Sequence, residues 1–279
     1  MRGRDLDKWR ISYKNYYIII VKYGEGEFLE NNYPSIYNYL SLHENKLKNR
    51  GQVKVNQHHW LELDNNPSSK YIDLFKKEKI MYGEIVPEPR FIYDKGFYFM
   101  EATGFILNSS TINIKYLLSL LNSKLLFWYF KDIGYNLGGK GYRYKKIFIE
   151  QLPVKFTDST NEEKINKLVD ELINLNEMIT KIKNEFIELM LKEYNVKKIS
   201  KKLDEFYKLN SQDFLKEVKK QKGVISNKEK IDLEFVNKSF EINENIKKID
   251  EIEDELNKII YDIYQLNQKE IKIIENQLI

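Results

Sequence analysis

The chain has 279 residues, a formal net charge of +4, 32% charged residues and no cysteine. This length holds one sizeable domain, or one compact domain with a long helical appendage, and the frequent Leu, Ile, Phe and Tyr mark a folding chain and not a disordered one. The missing cysteine excludes disulfides and zinc fingers and fits a reducing cytoplasm; no apolar stretch approaches the roughly 20 residues that span a bilayer, and no signal peptide opens the chain, so a cytoplasmic protein with no membrane partner is expected.

The first segment, RGRDLDKW, sets Arg2, Arg4 and Lys8 beside Trp9, a pattern that suits a phosphate clamp or a chain end with ordinary ion pairs. Residues 16–23 (YYIIIVKY) read as a strand, and Gly24-Glu25-Gly26 is too short to be more than a turn. A helix is predicted over 34–49, with Ile36, Leu40, His43 and Leu47 on one face. Gln57-His58-His59-Trp60 reads as polar loop histidines before a core tryptophan and not as a metal site, because adjacent strand histidines face opposite ways and no carboxylate stands at ligand spacing.

Further strands are expected at 79–86, 97–100 and 104–107, and a helix at 114–130, with Leu117, Leu118, Leu121, Leu125 and Trp128 on one side and Thr111 or Asn113 as its cap. Within EIVPEPR, Glu88 and Arg90 stand two apart between stiffening prolines. Glu accepts from cytosine N4 and Arg grips guanine O6 and N7, so the segment reads as a base reader or, with equal weight, a surface salt bridge. The strongest local signal is NLGGKGYRYKK at 136–146. Three glycines permit close backbone approach, and Lys140, Arg143, Lys145 and Lys146 interleave with Tyr142 and Tyr144 as a phosphate backbone demands. The rival reading is a hairpin turn beside a solvated basic strand; a P-loop is excluded because no Gly-Lys-Ser/Thr follows.

The second half changes period. Ile165, Leu168, Leu172, Leu175, Ile179, Ile182, Phe186 and Leu189 form one heptad seam, and Ile242, Ile246, Ile249, Ile252, Leu256, Ile260 and Ile263 form another. Each stripe needs a cover, and two such helices in one chain cover each other as an antiparallel hairpin, with its tip at 196–230 and a helix end at Gly223. Lys197, Lys198, Lys201, Lys202, Lys219, Lys220 and Lys222 cluster in that tip, as solvated faces usually do. Residues 1–156 carry 24 Lys and Arg against 16 Asp and Glu, whereas 157–279 carry 22 against 26. The expected architecture is therefore α+β: a basic, aromatic-rich mixed domain over 1–156, then a coiled-coil-like helical hairpin over 157–279.

No Asn/Asp-Pro-Pro-Tyr/Phe segment, glycine-rich cofactor loop, Pro-Asp…Glu-x-Lys pattern or nucleophile–base pair is visible, so no catalytic, cofactor or metal residues are expected. The segments RGRDLDKW, YPSIYNYLSLHENKLKNRG, HHWLELDN, KIMYGEI, PRFIYDKGFYFMEATGFIL, YLLSLLNSKLLFWYFK and GGKGYRYKKIFIEQLPV, in that order, resemble the TaqI-like C-terminal specificity domain over about residues 1–155. The tail IEDELNKIIYDIYQLNQKEIKIIE resembles the chain end of the fused restriction-modification enzymes that carry this domain. The resemblance implies target recognition on double-stranded DNA for an adenine-specific methyltransferase. That domain or subunit, with S-adenosylmethionine and in some relatives a nuclease, lies outside this chain. A stand-alone specificity subunit and a helical protein-interaction module remain the alternatives. The DNA contacts expected are Arg2, Arg4, Lys8, Glu88, Arg90, Lys140, Tyr142, Arg143, Lys145 and Lys146.

Overall fold

In the first half every apolar run is cut short by Gly, Pro, Asn or Ser, and the elements are correspondingly brief; in the second half nothing interrupts two long amphipathic helices. The computed structural model describes residues 1–12, 16–224 and 227–278. A 3-10 turn at Gly3–Asp5 leads into a small ribbon of β1 (Leu6–Asp7) and β2 (Arg10–Ile11). A helical lobe follows: α1 (Gly26–Asn32), α2 (Pro34–Ser41), α3 (Glu44–Lys48), α4 (Gly51–Lys54) and α5 (Ser69–Phe75). The helix predicted over 34–49 is thus broken at Leu42 and His43, both exposed.

Residues 16–23 form no strand. No strand lies beside the run among the described residues, Tyr17 is 86% exposed, and Val21 is the residue that enters the small core of Leu29 and Leu61. The 79–86 run divides into β3 (Lys79–Gly83) and β4 (Ile85–Val86), which join different sheets. At the break, a Cβ on Gly83 would lie 3.2 Å from the Gly3 carbonyl oxygen; the Glu84 amide still donates to the Thr103 carbonyl in the register of the first sheet, while the Glu84 carbonyl accepts from the Tyr144 amide beside the second. The first sheet has the antiparallel order β5-β3-β6, with β5 (Ile92–Asp94), unforeseen in the sequence, and β6 (Gly104–Leu107), where a strand was expected. Residues 97–100 are not a strand, because Asp94 accepts the Phe97 and Tyr98 amides and turns the chain away. Lys79 and Asp94 stand opposite each other in this sheet as a fully buried ion pair.

The helix predicted over 114–130 is two: α6 (Ile114–Leu121), capped by Asn113 and not Thr111, and α7 (Lys124–Ile133). Asn122 leaves the helical path to exchange hydrogen bonds with both backbone groups of Phe91, and the Ser123 hydroxyl caps α7 through the Leu126 amide. A second sheet, order β4-β8-β7, combines β7 (Tyr135–Asn136) and β8 (Tyr142–Arg143) with β4, and α8 (Lys146–Ile149) closes this half.

The long helices α9 (Ser159–Lys192) and α12 (Lys228–Ile263) run antiparallel: Lys230 pairs with Glu193, Lys238 with Glu185 and Lys164 with Glu255, so one number falls as the other rises. Val169 and Met190, not Leu168 and Leu189, are the buried members near the two ends of the first seam. A straight helix drifts by about 20° per heptad from a 3.5-residue repeat, which rotates the next residue inward. Between the shafts, α10 (Lys201–Asp204), a 3-10 turn at Phe206–Lys208 and α11 (Ser211–Lys220) wrap a second core of Phe186, Phe206, Phe214 and Phe235; the rings of Phe214 and Phe235 stack at 4.3 Å. The helix end expected at Gly223 is made by Lys222, whose φ is +61°; Gly223 is held small by Val218, 2.7 Å from where its Cβ would sit. The last helix, α13 (Gln268–Leu278), folds back on α7. One continuous core links β3, α6 and α7 to Ile165–Leu175 side chains of α9 and to Ile252, Leu256 and Ile260 of α12. No helix among the described residues is long and apolar enough to cross a membrane.

Candidate nucleic-acid interface

Two segments singled out separately in the sequence meet in the sheet β4-β8-β7. Ile85 pairs with Arg143 and Val86 with Tyr142, so the stretch leading to Glu88 and Arg90 lies directly against the basic loop. Residues opposite one another share a face. One face is therefore the row of exposed Ile85, half-buried Arg143 and exposed Tyr135, and the other carries Val86 and Tyr142 inward. Tyr142 meets the edges of Phe127 and Phe130, and Tyr144 is buried on Phe130 at 4.2 Å, where burial pushes its phenol well above the ordinary range. The expected contact Tyr142 thus faces α7, whereas Tyr135, not anticipated, is 59% exposed beside Arg143. Its signal in the sequence is weak: one tyrosine after a Gly.

Gly141 makes the close approach possible. Its φ is +93°, and a Cβ there would lie 2.5 Å from both the Val86 carbonyl oxygen and the Pro87 Cα. Gly138 and Gly139 face open space, and Lys140, Lys145 and Lys146 are exposed around them. Lys146 reaches Glu150 at 3.3 Å, a pair exposed enough to exchange freely with solvent or phosphate.

The N-terminal segment joins this sheet from the other side. The Gly3 amide donates to the Thr103 hydroxyl, and Arg2, Arg4, Glu84, Pro87 and Arg90 line one open hollow of about 590 Å³. Arg4 is exposed there. Arg90 leans on Glu88 at 3.2 Å and Asp7 at 3.8 Å, and Arg143 faces Glu84 through Nε at 3.6 Å, beyond hydrogen-bond distance; Nε of each arginine is buried without a hydrogen bond among the described residues. Two expected contacts serve the fold. Arg2 grips Asp5 with two 3.0 Å bonds, and, although burial pushes the Asp5 carboxyl up, the bonds from Arg2 hold it below the usual carboxylate range. Lys8 binds Glu253 of α12 at 2.8 Å, and the Trp9 indole donates to the same carboxylate at 2.5 Å.

The histidines at 58–59 are structural. His58 bonds Asp64 at 2.9 Å and stacks on Tyr23, so a carboxylate does stand near, though no group of three metal-ligating side chains occurs among the described residues.

Residues 1–154 match the family model of the TaqI-like C-terminal specificity domain. The chain belongs to that family. Membership gives it a DNA-recognition role in restriction-modification and an association with a methyltransferase domain. Residues 158–260 match a domain of unknown function (DUF8810). No curated protein matches the chain. The sheet β4-β8-β7 and the hollow beside it lie wholly within the specificity domain.

Proposed function

We propose that this chain reads the target sequence for an adenine-specific DNA methyltransferase of a restriction-modification system, with residues 1–156 as the reading unit and 157–279 as the hairpin that packs against or spaces the catalytic partner. The observation that carries this reading is the meeting of Arg4, Arg90, Arg143 and the 138–146 loop around one sheet of a specificity domain. Lys140, Lys145 and Lys146 end as exposed point charges suited to phosphates. Arg90 and Arg143 are half-buried and held by neighbouring carboxylates, a fixed guanidinium placement that suits directional bonds to base edges. Methyl transfer, with flipping of the adenine, belongs to the partner together with S-adenosylmethionine, and a nuclease joins in the fused enzymes. The turn at Gly24-Glu25-Gly26 does not fit that cofactor, because the Gly24 and Gly26 amides are already taken by the Glu62 carboxylate.

The test is selection of a preferred duplex from a random pool, followed by titrations at several salt concentrations. Arg90→Ala is expected to cost about 1–3 kcal/mol on the selected site and little on other DNA. Lys145→Ala is expected to weaken all duplexes alike and to flatten the salt slope by about one unit. A pool that yields no preferred sequence overturns the reading; equal loss on all duplexes from Arg90→Ala reverses the two roles.

A further inference from the structure

The hairpin's charge is divided as sharply as its cores. Residues 196–222 hold nine Lys against four Asp and Glu, while the remainder of 157–279 holds 13 Lys against 22 acidic residues. On the shafts, acidic residues outnumber basic ones, and Lys164, Lys230 and Lys238 each pair with a carboxylate on the facing helix. At the tip, Lys198, Lys201, Lys202, Lys219, Lys220 and Lys222 are exposed, and none makes an ion pair among the described residues.

These lysines come from two stretches of chain that the fold locks together. The Lys197 amide donates to the Gln221 carbonyl at 3.1 Å. The buried Glu217 carboxylate accepts the Ser200 hydroxyl at 2.8 Å and the Gln221 side-chain amide at 3.0 Å. Bringing uncompensated cations side by side costs free energy, which an anionic partner would return. The apolar side chains beneath, Phe206, Phe214 and Val218, are fully buried. A membrane-seeking surface would interleave exposed apolar groups with its lysines, so this one suits a polyanion of spaced phosphates.

We propose that the hairpin tip is a second, sequence-independent DNA contact, seating these six lysines on backbone phosphates outside the sequence read by the specificity domain. The inference rests on the DNA-recognition reading above. The shared core ends near Leu175, and α9 continues to Lys192, about 26 Å further at about 1.5 Å per residue. Laid along a duplex, that reach covers about eight base pairs at about 3.4 Å each.

The test compares two duplexes carrying the selected site, one with no flanks and one with long flanks, bound by the full chain over a salt series. The variants are Lys198→Gln/Lys202→Gln/Lys219→Gln/Lys220→Gln and the charge-keeping set with Arg at the same positions. The wild type and the Arg set are expected to bind the flanked duplex about tenfold tighter, with protection extended on one side of the site. The Gln set is expected to lose that gain and to lower the salt slope by about three to four units, with base preference and unflanked affinity unchanged. If the Gln set matches wild type on flanked DNA while the site is still preferred, the tip proposal falls and recognition stands. A flank effect that depends on the tip lysines, without any base preference, leaves the tip contact and removes recognition. No binding to any duplex removes both. Tip-dependent binding to phosphatidylglycerol vesicles without a flank effect assigns the patch to lipid and overturns the proposal.

Discussion

At the scale of single residues, the interface depends on glycines whose reasons differ. Gly141 needs a left-handed φ and leaves no room for a Cβ against Val86 and Pro87, whereas Gly139 faces open space. Gly141→Ala is expected to destabilise the domain by about 1–3 kcal/mol and to blunt sequence preference, while Gly139→Ala leaves both near wild type; equal melting temperatures for the pair would refute this. The sequence displayed the three glycines but not this division, because the surface that Gly141 approaches is brought by residues over 50 positions earlier. The same holds for Arg90 and Arg143, whose motifs were legible separately while their adjacency was not. Asp5 makes a pH prediction. Its folded carboxyl lies below the ordinary aspartate value of 3.8, so the stability from its clamp with Arg2 is present above about pH 4 and is lost as pH falls through the folded value. The stability difference between wild type and Asp5→Asn, followed by denaturant unfolding at decreasing pH, is expected to shrink in acid; a difference that grows there would reverse the sign.

At the scale of elements, the long helices were legible because an uninterrupted 3-4 spacing has one economical solution. The short ones were not. The stretch 114–130 kept its apolar spacing through Asn122 and Ser123, and what ends α6 there is a pair of bonds from Asn122 to Phe91, invisible to periodicity. The run at 16–23 has strand composition but no strand beside it, and composition alone cannot supply one. The seam itself is testable. Leu172 is fully buried between the shafts and the first half, so Leu172→Ala is expected to cost about 2–5 kcal/mol and Leu172→Asp to open α12 to proteolysis. Unchanged cleavage within residues 240–263 in Leu172→Asp would show that the helices do not cover each other.

At the scale of the whole molecule, the halves differ in charge and composition yet share a core. The helix α6 packs on α9, covering Ile165, Val169 and Leu172. Residues 157–279 produced alone would expose that face, and are expected to melt lower than the full chain or to associate; a melting temperature equal to that of the full chain would refute the shared core. The two halves are also tied by polar bonds at the margin of that core. Trp9, held at a φ of +62°, and Lys8 both fasten to Glu253, a residue on the shaft, while Gly3 and Arg4 a few positions earlier border the reading hollow. Glu253 is in effect a tie-rod between a cantilever and its mounting. It stands at the root of the hairpin, so the strap it anchors fixes how the first residues of the chain border the hollow.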